Sequence, residues 1–194
     1  DWWQDVQGSD SVGFADRDTG CLDFLALQGV TFTDAKEYHV FGLGYCERVL
    51  VADCWFGPSA IDGSAFSNPY RTYGQGRSLL RDNVFETGDN GSMRLLTDST
   101  SSDGAVRFVN VVRQRHVHGS SATISIGPNP TMSGAAYAHD IRFVDCRIEG
   151  GSGVTIRADD AGSNGLYTER IDLLDCSAYN GHLLSVNGSA SVTH

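Results

Sequence analysis

The stretches "HDIRFVDCRIEGG" (139–151) and "ERIDLLDCSAYNG" (169–181) are written to one pattern. Each begins polar, alternates apolar and polar residues, reaches Asp-Cys, takes one more apolar step and leaves through glycine. Further copies are found by anchoring on the polar or glycine residue that interrupts the alternation. The anchors are Gly29, Asp53, Asp82, Asn110, Asp145 and Asp175. Two residues before them stand Leu27, Val51, Leu80, Phe108, Phe143 and Leu173; one after stand Val30, Cys54, Asn83, Val111, Cys146 and Cys176. A period of this length marks a repeat architecture, in which one unit cannot bury its inner face without its neighbours.

Within each half of a copy the apolar period is two, which is a strand with one buried face. Across the anchor the phase slips by one residue. Keeping the same face buried through that slip requires a sharp bend, and Gly, Asn and Asp are the residues that best tolerate a left-handed backbone. Most copies carry a third alternating run: "HVFGL" (39–43), "SMRLL" (92–96), "ATISI" (122–126), "GVTIR" (153–157) and "HLLSV" (182–186). The sequence therefore predicts an all-β parallel β-helix of about six coils, each of roughly 29 residues and three short strands. Residues 1–20 fit no rung and read as an irregular segment or a degenerate coil; residues 21–194 form the solenoid. Its last rung is uncapped, so the segment is expected to continue in a longer chain or to be covered by a partner or homotrimer mate.

Composition narrows the function. A formal net charge of −10 and a pI of about 4.8 argue against a general nucleic-acid or anionic-membrane binder. No apolar run is long enough for a membrane-spanning helix. The five cysteines are odd in number and lack CxxC spacing, so a zinc site is not indicated. Twenty-three glycines suit a chain of short strands and turns.

The anchor ladder, the stacked inward Cys and aliphatic residues and the variable loops resemble the right-handed parallel β-helices of the pectate-lyase-like superfamily. That superfamily includes polysaccharide lyases, hydrolases, epimerases and phage tailspike depolymerases. The resemblance implies a domain that binds and cleaves an extracellular acidic polysaccharide, located outside the cell or on a virion or cell surface. The alternative is a non-catalytic glycan-binding adhesin, a tailspike shaft or a structural spacer. The superfamily's catalytic signatures are absent; "RADDAG" (157–162) has paired aspartates without their usual context.

The same resemblance places the groove on the third-run strands, with Arg94, Thr123 or Ser125, Thr155, Arg157 and Ser185 outward. Arg94 and Arg157 would fork carboxylates or join Arg–Asp ladders. "RQRHVHG" (113–119) is the densest basic and imidazole cluster. It reads as a solvated loop edge, as the charge-neutralising and proton-abstracting group of a lyase, with Arg115, His116 and His118 its members, or, at His116 and His118, as two metal ligands for which no third is indicated. Asp98 with Asp159 or Asp160 would be the carboxylates of a hydrolase. An Asp-Asp pair in a Gly-rich loop is more often a turn or a weak Ca2+ site, and no cofactor is otherwise required. The insertion 57–76 offers Tyr70, Arg71 and Tyr73 to stack on sugars, with Tyr137 and His182 as further contacts.

Overall fold

A computed structural model describes residues 12–14, 23–32, 40–42, 46–57, 70–86, 92–97, 105–117, 124–128, 137–150, 153–157 and 167–187. These residues contain strands and turns but no helix. A first strand, β1 (Val12–Phe14), lies within the segment read as irregular or degenerate, and six similar circuits follow. They are β2 (Leu25–Gln28), β3 (Thr31–Phe32) and β4 (Val40–Gly42), then β5 (Cys46–Ala52), β6 (Trp55–Phe56) and β7 (Tyr70–Tyr73). Next come β8 (Gln75–Arg81), β9 (Val84–Glu86) and β10 (Met93–Thr97), and then β11 (Val106–Val112), β12 (Arg115–Val117) and β13 (Ile124–Pro128). The last two circuits are β14 (Tyr137–Val144), β15 (Arg147–Glu149) and β16 (Val154–Arg157), and β17 (Tyr167–Leu174), β18 (Ser177–Tyr179) and β19 (Leu184–Asn187).

Each circuit gives one strand to each of three sheets. The long strands pair in the order β17-β14-β11-β8-β5-β2, and the short strands after the corner as β18-β15-β12-β9-β6-β3. The third sheet has seven strands, β1-β4-β7-β10-β13-β16-β19. Neighbours are parallel throughout, an arrangement compatible with a parallel β-helix. Parallel strands are unusual without helices on their faces. Here the three sheets bury one another's inner faces instead.

The core is a set of columns with one residue from each circuit. Leu27, Val51, Leu80, Val111, Phe143 and Leu173 lie in register along the long-strand sheet. In the short-strand sheet Phe32, Phe56, Phe85 and His116 stack ring on ring, with successive centroids 4.8, 4.5 and 4.8 Å apart. Ile148 and Ala178 continue that column. Parallel strands lie about 4.8 Å apart, so flat rings at equivalent positions stack without leaving their rotamers.

The corners between long and short strands are the residues with positive φ: Gly29, Asp53, Asp82, Arg113, Asp145 and Asp175. Five are the anchors expected from the sequence. The fourth is not Asn110, which stands exposed in mid-strand on β11, but Arg113 three residues later. With that correction the fourth circuit breaks no rule, and Gln114 and His116 take the inward places. Arg113 is held in a left-handed conformation at φ 47° by a two-pronged bond to Asp82, with Nε and Nη2 at 2.7 and 2.9 Å from its carboxylate oxygens. The backbone ladder continues through the bends, as in Asp82 N–H to Val112 O at 3.0 Å and Arg113 N–H to Val144 O at 2.8 Å. Asn83, in the inward column after the corner, donates to Val51 O and accepts from Cys54 N–H, both at 2.9 Å, and so meets its burial requirement.

Candidate functional site

His116 is fully buried. Its Nδ1 lies 2.6 Å from the hydroxyl of Ser92 and its Nε2 3.1 Å from Oε1 of Gln114. Gln114 Oε1 can only accept, so Nε2 carries a proton toward it, while Nδ1 shares a hydrogen bond with the serine. The ring is thus a buried rung of the aromatic column and has no face toward a polymer; the surface proton acceptor expected at His116 from "RQRHVHG" is corrected on this point. Arg115 does face solvent, but its Nε lies 3.0 Å from Glu149 Oε1. That contact also holds the Glu149 carboxyl below its ordinary range.

The seven-stranded sheet was expected to carry the groove. Its register aligns Arg71, Arg94, Ser125, Thr155 and Ser185, four of them as anticipated. Arg157 falls two places further along its strand, opposite Asn187, and so stands outside the Arg94 column. The face is also covered at its centre, where Ser125 is 3% and Leu96 2% exposed. Tyr70, expected to stack on sugars, points inward beside Met93 and is buried, with its hydroxyl 2.9 Å from Gln75 Oε1. Burial raises that phenol's pKa far above its usual value. Tyr73 and Tyr137 lie on β7 and β14, and His182 is exposed in the turn before β19. Asp98, His118, Thr123, Asp159 and Asp160 lie outside the described residues. Among the described residues no three His, Cys, Asp or Glu side chains gather as a metal ion would require.

A different surface is open. On the outer face of the long-strand sheet Phe24, Arg48, Arg77, Leu79, Phe108 and Asn110 surround a groove of about 670 Å3, with Val49 and Ser78 at its floor. Arg48 pairs directly with Arg77 across β5 and β8. Phe24 precedes Leu25, the partner of Val49, and Phe108 precedes Val109, the partner of Ser78. One outward column therefore reads Phe24, Arg48, Arg77, Phe108, then Asp140 and Arg170. Phe24 is 53% and Phe108 48% exposed, large apolar surfaces for a single sheet face.

The charges around this column are sorted. Arg81 and Arg113 flank Asp82 and hold its carboxyl down to about 2. Arg170 reaches Asp140 at 2.6 Å and Arg142 reaches Asp172 at 3.3 Å, while Arg147 joins Arg115 on Glu149. Hydrogen bonds from Arg170 and His139 keep the Asp140 carboxyl well below its usual range. No such pairing serves the groove. Arg48 lies over the Phe24 ring at 5.8 Å and its Nε contacts only the Asp23 carbonyl at 3.4 Å, and among the described residues no carboxylate pairs with it or with Arg77.

Phe108 has φ 56°. A bulky residue in that region is strained by about 1–3 kcal/mol, and such strain concentrates at functional positions. The same bend recurs in the next two circuits at Asp140 and Arg170, so the sheet imposes it. An aromatic ring there is a choice of sequence. Residue pattern alone missed this site because the correct register of the fourth circuit is what puts Phe108 beside Arg77. The signal that was present is two arginines on adjacent copies, five residues before their anchors. Comparison of the chain with protein-family models, with curated proteins and with solved structures returns no match.

Proposed function

We propose that this chain is a right-handed parallel β-helix domain, of the kind found in the pectate-lyase-like superfamily, that binds an extracellular polysaccharide or surface glycan. The observation that carries the reading is the groove on the long-strand sheet, where exposed aromatic rings and guanidinium groups line up one per circuit. Aromatic faces stack on the apolar faces of sugar rings, and arginine forks supply directional hydrogen bonds. A solenoid suits an extended polymer because equivalent side chains repeat along its axis.

Binding is proposed in preference to cleavage. The groove's lining holds no carboxylate and no imidazole; His139, edge-on to Phe108, is engaged by Asp140 and Arg170, and His116, one of the two bases named from sequence, is enclosed, while the other, His118, lies outside the described residues. The test is affinity electrophoresis of the chain through gels containing acidic or neutral polysaccharides, with reducing ends and unsaturated sugar products assayed in the same samples. Retardation without product is expected. Migration unchanged by every polymer would refute the reading, and product release would replace recognition by catalysis.

A further inference from the structure

We infer that the groove selects an acidic oligosaccharide, with one uronate carboxylate clasped between Arg48 and Arg77 and the flanking sugars resting on Phe24 and Phe108; this rests on the glycan-binding reading above. Arg48 and Arg77 are register partners, so their Cα atoms stand about 4.8 Å apart on neighbouring parallel strands. Two guanidinium groups carried on neighbouring strands of one face repel unless something negative lies between or over them. Elsewhere on the solenoid the protein supplies that counter-charge itself, at Asp82, Asp140, Asp172 and Glu149. In a chain of net charge −10 acidic side chains are abundant, yet none pairs with either arginine among the described residues. The two guanidinium groups together offer a planar carboxylate more donors than its two oxygens can use.

The neighbours say what surrounds that carboxylate. Phe24 and Phe108 close the column on either side, giving four successive side chains about 14 Å from end to end. That length suits a short run of sugars lying across the strands. Leu79 and Asn110, one column over, add an apolar contact and an amide that can bond a sugar hydroxyl. Beyond Phe108 the next members are Asp140 and Arg170, which pair with each other at 2.6 Å and so offer a second anion no unpartnered cation on that side. The site therefore accepts one acidic unit flanked by uncharged faces. It does not suit an evenly charged strand such as a nucleic acid, whose binding needs many phosphate contacts.

The experiment is calorimetric titration of the whole chain with a hyaluronan tetrasaccharide, beside its carboxyl-reduced counterpart, and with a glutamate tetrapeptide. Wild type is compared with Arg77→Gln, Phe108→Gly and, as a charge control, Arg115→Gln. The expected result is at least tenfold tighter binding of an acidic tetrasaccharide than of its reduced form. Arg77→Gln should abolish that preference, Phe108→Gly should weaken both forms, and Arg115→Gln should change neither. Equal binding of acidic and reduced forms, both weakened by Phe108→Gly, would overturn the carboxylate clamp and leave glycan binding standing. No binding by wild type, or binding indifferent to Arg77→Gln and Phe108→Gly, would overturn both. An equal loss in Arg115→Gln would mean nonspecific attraction, and tighter binding of the glutamate peptide would mean a protein partner; either overturns the inference.

Discussion

Asp82 sits at the corner between β8 and β9 with a guanidinium on each side, Arg113 at 2.7 Å and Arg81 at 2.6 Å. The two contacts lower its carboxyl from 3.8 to about 2. Because the folded value lies below the unfolded one, the stabilisation is complete above about pH 4 and is lost as pH falls toward 2. Asp82→Asn is expected to flatten the pH dependence of stability in that window, as read from denaturant midpoints at several pH values. An unchanged slope would mean that the pair is too well solvated to matter. His116 makes the opposite point, because there burial governs. His116→Ala would remove a ring from the stack and the bonds to Ser92 and Gln114, at a cost of about 3 kcal/mol. His116→Phe keeps the stacking and loses only the bonds, about 1 kcal/mol. Neither should alter glycan affinity in the folded fraction; a selective loss of affinity would return His116 to the site.

At the scale of elements, the corners set the architecture, and glycine matters at two of the bends for different reasons. Gly29 has φ 64° with open space where a Cβ would go. Gly153 has φ 66°, and a Cβ there would penetrate the His182 carbonyl and the Leu183 backbone. Gly29→Ala should therefore cost about 1 kcal/mol from backbone conformation alone. Gly153→Ala should cost on the order of 3 kcal/mol and loosen β19 from β16, visible as faster amide exchange in β19. Equal costs at the two sites would contradict the packing described. The corners also show what the sequence disclosed. Five of six were legible because Asp or Gly interrupts an apolar alternation of period two. The fourth was not, because "VRFVNVVRQRHV" (106–117) alternates equally well about Asn110, and asparagine is the better left-handed residue. The observed register keeps Arg113 outside, paired with Asp82, where the alternative would bury its guanidinium. That one shift of three residues carried His116 from the surface to the core and hid Phe108 among the presumed inward residues.

For the whole molecule, the parallel sheets and inward columns followed from periodicity, whereas the site did not. The resemblance pointed to the seven-stranded sheet, whose central outer face is covered at Ser125 and Leu96. Exposure of a sheet face depends on what the connecting segments lie against, and strand periodicity does not encode that. The long-strand sheet instead keeps its outer face open, and its exposed column places two arginines, without carboxylate partners among the described residues, between two aromatic rings. Recognition there should weaken with rising salt, since the contacts are exposed and screened over about 10 Å at 0.1 M. The most direct measurement is a backbone and arginine side-chain NMR titration of the isotope-labelled chain with a hyaluronan tetrasaccharide. The account predicts shifts that begin at Arg48 and Arg77 and extend to Phe24, Leu79, Phe108 and Asn110, with Arg94 and Ser125 unmoved. Shifts centred on Arg94, Ser125 and Ser185, with the Arg48 and Arg77 signals unchanged, would contradict it.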